Sequence, residues 1–463
     1  MAGISFFSDM MQSITDRGRR LLAAGTRTAP VAAETTIETL CNMLLSSRGE
    51  ASGMALAAEI LQRWTELDAI GQKDFMRMLH EQFGPDIAKL DKAIERYRND
   101  KGADAIIALH QAAEPRRQEL VRRLNLAPKG TSSLVEMRER LLAMKDGTDQ
   151  FRAVDADFSH LFGSWFNRGF LTLRPIDWST PADILEKIIK YEAVHEIAGW
   201  EELRRRLVPP DRRCFAFFHP RLADEPLIFV EVALTTAIPS AITDVLDESR
   251  SPIAAKDATT AVFYSISNCQ EGLRGISFGN FLIKQVVEDL RRDLPGLKTF
   301  VTLSPVPGFA AWLSKLRKAE AGLSEETRQA LALLDEADWA DDPERSQAVK
   351  AVLLPLAARY FVREQGDGRR PIDPVARFHL GNGARLEQLN FVADRSRKAM
   401  RQSHGLMVNY LYKLDDIEKN HEALAQHGEV AASPQVRKLA EIGAADIGAA
   451  PAVRRRQAEM QKS

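Results

Sequence analysis

Ser304, His379 and a glycine run between Gln270 and Gly279 are the places where this sequence sets groups able to do chemistry beside residues that fix or free the backbone. In FVTLSPVPGFAAWL (residues 300–313), four strand-forming residues lead into Ser304, and Pro305, Pro307 and Gly308 follow at once. Proline locks φ and carries no N–H, so a hydroxyl here would be held in a fixed place, as chemistry on a bound substrate needs. The same residue types also suit a helix N-cap, with serine as the cap and proline at the first helical position. The stretch is not the G-x-S-x-G elbow of an α/β-hydrolase. In QEGLRGISFG, glycines 272, 275 and 279 stand between an expected strand and an expected helix. Glycine lets backbone N–H groups turn toward a ligand, and a helix start offers unpaired donors and a positive dipole end to a phosphate. The pattern is neither Walker A nor the Rossmann fingerprint, and a plain turn would use the same residues. In DPVARFHLGNGARLEQLNFVADRS (373–396), His379 sits in a short apolar segment just before Gly381-Asn382-Gly383, a sequence that calls for a turn or a close backbone approach. A lone histidine of this kind is either a hydrogen-bonded structural residue or, with a pKa near working pH, a proton donor. His404 and His421 compete with it, His421 from a polar stretch. The segment GLMVNYLYKLDD is expected to form a strand with Tyr410 and Tyr412 on alternate sides.

The elements that must position these groups fall into two kinds. From residue 34 to about 150, apolar residues recur at three- and four-residue spacing, and the breaks at DAIGQ, NDKG and APKGTSS are short and carry glycine or proline. That is the pattern of an antiparallel helical bundle; His80 and His110 are single histidines on its helices. After residue 155 the pattern changes. CFAFFHP (Cys214–Pro220) and EPLIFVEVALTT (Glu225–Thr236) are rich in strand formers, with RLAD as the loop of a hairpin. TTAVFYSIS is a third strand, the glycine loop follows, then an amphipathic helix ending near Pro295-Gly296, then the strand LKTFVTL. Strand, strand, strand, loop, helix, strand is an α/β core. The expected division is a helical bundle over 1–155 and an α/β domain over 156–463, with more helices after residue 310.

With 463 residues the chain exceeds one ordinary core. Its 63 Lys plus Arg nearly balance 64 Asp plus Glu, so net charge gives no reason to expect nucleic acid or an anionic membrane as partner. Cys41, Cys214 and Cys269 are far apart and show no metal-ligand spacing, which argues for a reducing compartment without a disulfide framework or a metal site. No apolar run reaches the roughly 20 residues that cross a bilayer. The first 25 residues lack the order of a secretory signal; an arginine-bearing transit segment is disfavoured by Asp9 and Asp16, and the stretch is expected to be a first helix. A cytoplasmic, bacterial setting is the expectation.

The placement of the glycine loop after a hairpin and a third strand resembles the pyrophosphate-binding loop of the acetyltransferase (GNAT-like) superfamily, whose ligand is coenzyme A. A more specific resemblance runs through SWFNRGFL, YEAVHEIAGWEELRRRL, VEVALT, VFYSIS, GLRGISFGNFLIKQVV, LSPVPGF, FHLGNGA and GLMVNYLY. These resemble, in order and over most of residues 157–417, segments of the malonyl-CoA decarboxylase family. The resemblance implies an N-terminal helical oligomerisation domain, forming a dimer or tetramer, and a GNAT-like α/β catalytic domain with C-terminal helices. It implies conversion of malonyl-CoA to acetyl-CoA and CO2 with no metal or organic cofactor. Carried onto this sequence, the family's catalytic serine falls on Ser304 and its catalytic histidine on His379. Two further active-site residues fall on Ser265 and Tyr412, and the CoA-binding loop on Arg274, Gly275, Ile276, Ser277, Phe278, Gly279 and Asn280. Animal members carry a glutamate where this chain has Ser277, so any orienting role of that carboxylate is unfilled or passes to another residue. The alternatives are a CoA-dependent acyltransferase on the same fold and a non-catalytic CoA-binding scaffold.

Overall fold

In a computed structural model of the chain, the described residues are 10–20, 35–46, 49–144, 149–276, 282–319 and 322–445. The chain forms two compact units. The first comprises Met1–Arg174, Phe217–Ile228 and Asn268–Gly279, and the second comprises Pro175–Ala216, Phe229–Ser267 and Asn280–Ser463. Residue 155, the expected boundary, lies inside the helix Asp149–Trp165.

The first unit is mostly helical, as the 3.6-residue periodicity up to about residue 150 requires. Its helices include Ile37–Leu45, Glu50–Glu66, Ala69–Gln82, Ile87–Asn99, Ala103–Ala113, Arg116–Leu124, Gly130–Ala143 and Asp149–Trp165. Starts are marked by side-chain caps: Thr36, Asp68 and Asp86 each accept the N–H three residues on, a contact that stabilises a helix by about 1 kcal/mol. The buried stripe of Glu50–Glu66 is Met54, Leu56, Ile60, Leu61 and Trp64.

The sheet has the order β1-β2-β3-β4-β5-β8-β6, with β7 also paired to β8. The strands are β1 (Thr172–Ile176), β2 (Arg212–His219), β3 (Leu222–Thr235), β4 (Thr260–Asn268), β5 (Thr299–Thr302), β6 (Ser304–Pro305), β7 (Arg385–Asn390) and β8 (Met407–Leu411). β4 and β5 run parallel, while β5, β6 and β7 all pair with β8 antiparallel. A helical part followed by an α/β part with C-terminal helices is thus the observed fold class. The expected hairpin is present with a tighter turn: β3 begins at Leu222, so most of RLAD is strand. Side chains alternate across a sheet, and the two faces differ in kind here. Val262, Tyr264, Val301, Leu303 and Met407 pack on Ile242 and Val245 as an apolar core. The opposite face carries Phe263, Ser265, Thr302, Ser304 and Tyr410. No helix of the described residues is long and apolar enough to cross a membrane.

Candidate active site

Ser304 does not cap a helix. Ser304 and Pro305 form β6, pairing with Val408 and Met407 of β8, and the next helix, Phe309–Ala319, starts after the turn at 306–308. The N-cap reading fails because the segment continues the sheet: β5 ends at Thr302, Leu303 still bonds the Phe263 carbonyl at 3.0 Å, and β6 steps onto β8. Thr302 and Ser304 point the same way, and the Ser304 hydroxyl donates to Thr302 Oγ1 at 2.8 Å. Thr302 Oγ1 is itself fixed by the Tyr410 N–H, 3.1 Å away.

His379 comes from the helix Pro374–Gly381, which Asp373 caps and Pro374 opens. Its Nε2 lies 3.2 Å from Ser304 Oγ and its Nδ1 2.8 Å from the Tyr412 hydroxyl. The Tyr410 ring stacks on the imidazole, centroids 4.7 Å apart at 23°. The two tyrosines therefore do not take alternate sides as expected; residues two apart share a strand face, and both meet His379. The helix stops where the sequence called for a turn. Gly383 has φ +80°, and a Cβ there would lie 2.2 Å from the Ile417 carbonyl oxygen, so only glycine fits.

The protons of this chain can be assigned. His379 is fully buried, and burial pushes its pKa down to about 3, because a charged imidazolium has lost its water. Burial pushes the Tyr412 hydroxyl well up, so it stays protonated. Its hydrogen-bond partner among the described residues is Nδ1, which must therefore accept. The single proton of the neutral imidazole is left on Nε2, facing Ser304. The chain then runs one way: Tyr412 O–H to Nδ1, Nε2–H to Ser304 Oγ, Ser304 O–H to Thr302.

Ser265 is held differently. Two residues before it, Phe263 stands opposite Thr302 in the parallel register, so Ser265 lies on the same face as Ser304. Its hydroxyl bonds Glu192 Oε1 and Oε2 at 2.8 and 2.7 Å and Ser267 at 3.2 Å. Glu192, at the end of the helix Ala182–Tyr191, also accepts from the N–H groups of Val194 and His195, each at 2.8 Å. Hydrogen bonds thus unite Ser304, His379 and Tyr412 and leave Ser265 in a second, carboxylate-centred group. Thr302, Glu192 and Asp373 escaped sequence reasoning, and Tyr410 was placed on a strand without a role. Asp373 alone left a signal, the Asp-Pro start of a helix. His404 and His421 take no part in either group: His404 closes a helix in a left-handed conformation, and His421 Nδ1 pairs with the Gly381 carbonyl.

In the glycine loop, Ser277, Phe278, Gly279 and Asn280 lie outside the described residues. The remainder separates two roles. A Cβ on Gly272 would meet the Val135 carbonyl oxygen at 2.0 Å, so Gly272 is there for helix packing. Gly275 has φ +81° with none of the described residues within 4 Å of a Cβ, a left-handed turn whose outer side is open among them. Arg274 and Ile276 flank it. The buried Arg138 of helix Gly130–Ala143 donates to the carbonyls of Gly272 and Arg274 at 2.7 and 2.9 Å.

Residues 169–450 match the malonyl-CoA decarboxylase C-terminal domain, and residues 83–166 match the malonyl-CoA decarboxylase N-terminal domain. The chain belongs to the malonyl-CoA decarboxylase family. Membership makes it an enzyme of the carboxy-lyase class. A mitochondrial malonyl-CoA decarboxylase of Anser anser anser is 33% identical over 415 residues, covering 82% of each chain. Among solved structures, a malonyl-CoA decarboxylase from Agrobacterium vitis is 73% identical with a TM-score of 0.84, covering 88% of this chain and 99% of its own. One from Rhodopseudomonas palustris is 61% identical with the same TM-score, covering 87% and 98%.

Proposed function

We propose that this chain converts malonyl-CoA to acetyl-CoA and CO2 through a thioester enolate, with Ser304 and His379 at the malonyl group. The observation that carries the reading is the buried Ser304–His379–Tyr412 chain, built from the residues onto which the family's motifs fall. When the bond between the carboxylate and the α-carbon breaks, CO2 leaves and the electron pair passes from the α-carbon into the thioester carbonyl. Addition of one proton at the α-carbon then gives acetyl-CoA. The thioester is itself the electron sink, so the reading calls on no metal and no organic cofactor. The protein's part is to place donors where charge grows on the carbonyl oxygen, which supplies several kcal/mol when the donors are already oriented and dry. A neutral imidazole with its proton on Nε2 is such a donor once the thioester oxygen replaces Ser304 Oγ as its acceptor. Ser304, turned from Thr302, then donates to the malonyl carboxylate or thioester, and Ser265 with Glu192 forms a second polar group on the same sheet face.

The loop Arg274–Asn280 receives the pyrophosphate of CoA on backbone N–H groups, which the open side of Gly275 supports. The N-terminal helices over residues 1–155 serve a homo-oligomer, and the catalytic part is residues 156–463. The test is purified protein with malonyl-CoA, following acetyl-CoA and CO2 by mass spectrometry alongside a thiol assay. Acetyl-CoA and CO2 in equal amounts without free thiol are expected. Release of free CoA would point to an acyltransferase, and binding without turnover to a scaffold. Ser304→Ala and His379→Gln should each lower kcat by about 100-fold or more; near-normal turnover in both would overturn the assignment.

A further inference from the structure

Asp373 touches both segments that carry the Ser304–His379 pair. It is buried, and its two oxygens are divided between two segments. Oδ1 accepts from the N–H groups of Val375 and Ala376 at 2.9 and 3.0 Å, capping the helix that carries His379. Oδ2 accepts from the Gly308 N–H and the Tyr360 hydroxyl, each at 3.3 Å. Gly308 ends the turn that follows Ser304 and Pro305. A Cβ on Gly308 would lie 2.5 Å from the Tyr360 hydroxyl and 3.4 Å from Asp373 Oδ2, so the turn approaches this carboxylate as closely as glycine allows. Tyr360 also packs its ring on Phe309 and Trp312, centroids 5.5 and 5.2 Å away, just past the turn.

We propose that Asp373 is a positioning residue for the decarboxylation: its carboxylate sets the separation of Ser304 and His379 by tying the S-P-V-P-G turn to the start of the His379 helix. The proposal rests on the roles given above to Ser304 and His379. β8 braces the pair on one side, through Val408 against Ser304 and through Tyr410 against His379. Asp373 closes the loop on the other. Pro305 and Pro307 stiffen the link between Gly308 and Ser304, so a shift at Gly308 reaches the hydroxyl instead of being absorbed by the turn.

Asp373→Asn separates the two halves of this task. Its remaining oxygen can still cap the helix, while its NH2 group opposes the Gly308 N–H, donor against donor. Asp373→Ser also keeps a cap and deletes the second oxygen without an opposed donor, so it carries the measurement if the asparagine variant does not fold. Both are expected to lower kcat for malonyl-CoA by about 100-fold, the cost of a misplacement near 1 Å, with KM within a few-fold of wild type. In crystals of either variant, the Ser304 Oγ–His379 Nε2 separation should open beyond the 3.2 Å of the native chain. Wild-type kcat, a rise in KM with kcat kept, or an unchanged separation would each overturn the proposal. A wild-type protein that makes no acetyl-CoA would sink the decarboxylase reading, and the separation measurement would still decide the role of Asp373.

Discussion

Tyr412 decides which face of the His379 imidazole carries the proton, and that has a kinetic signature. Tyr412→Phe leaves Nδ1 buried without a donor, so the tautomer with Nε2–H loses its support. We expect kcat to fall by about 10-fold with KM little changed, since the hydroxyl acts through His379 and not on CoA; a change confined to KM would contradict the proton assignment. Glu192 makes a different demand. It accepts from Ser265, Ser267 and two backbone N–H groups, and glutamine offers one acceptor oxygen where two are in use. Glu192→Gln should cost about 1–3 kcal/mol of stability through the donors left unpaired, measured by urea unfolding; unchanged stability would show that the carboxylate is dispensable. Ser304 and His379 stood out in the sequence as candidates because each sits beside residues with strong local meaning, two prolines in one case and Gly-Asn-Gly in the other, but only the family resemblance set them in one site. Glu192 and Asp373 were not, because what defines them is a partner 73 or 65 positions away, and an isolated acidic residue near a helix end carries no mark of such a partner.

Among the elements, the glycine loop shows how a motif can combine two jobs. Gly272 lets the backbone press against the helix Gly130–Ala143, and Arg138 on that helix holds the carbonyls on either side of Leu273. Arg138→Ala should therefore loosen the turn at Gly275 and raise KM for malonyl-CoA by about 10-fold, with kcat less affected, if the loop binds the CoA pyrophosphate. A fall in kcat at constant KM would argue that the loop serves the reacting group instead. Steady-state kinetics separates the two. The order of strands, loop and helix was legible from composition alone, since β-branched and aromatic runs alternate with 3.6-residue patterns. The short strand β6 was not. Two residues including a proline carry no periodicity, and only the pairing with Val408 and Met407 makes them a strand. The same limit explains the reading of Ser304 as a helix cap, which is the better choice when only near neighbours are visible.

Among the described residues, buried histidines are one source of acid sensitivity. Burial lowers His379 to about 3 and His195 to about 4, and lowers His219 and His404 as well. In the unfolded chain a histidine takes up its proton near pH 6.5. Each of these groups therefore contributes stability that is fully present above that pH and is lost as pH falls toward the folded value, because the unfolded state then binds more protons. The change in melting temperature on lowering pH from about 7 to about 5 should be less destabilising in His379→Gln than in wild type; the same change in both would contradict the buried neutral state of His379. Net charge, nearly balanced over the 463 residues, was legible from counting, and burial was not, since His379 in a short apolar segment looks no different from a surface histidine near a turn. The pairing of β8 with Ser304 has a consequence during synthesis. Ser304 and His379 are synthesised before residues 407–412, the stretch that pairs with one and flanks the other. A nascent chain of about 390 residues holds both side chains and lacks the strand that aligns them, so the pair stays unassembled until the last strand of the sheet arrives.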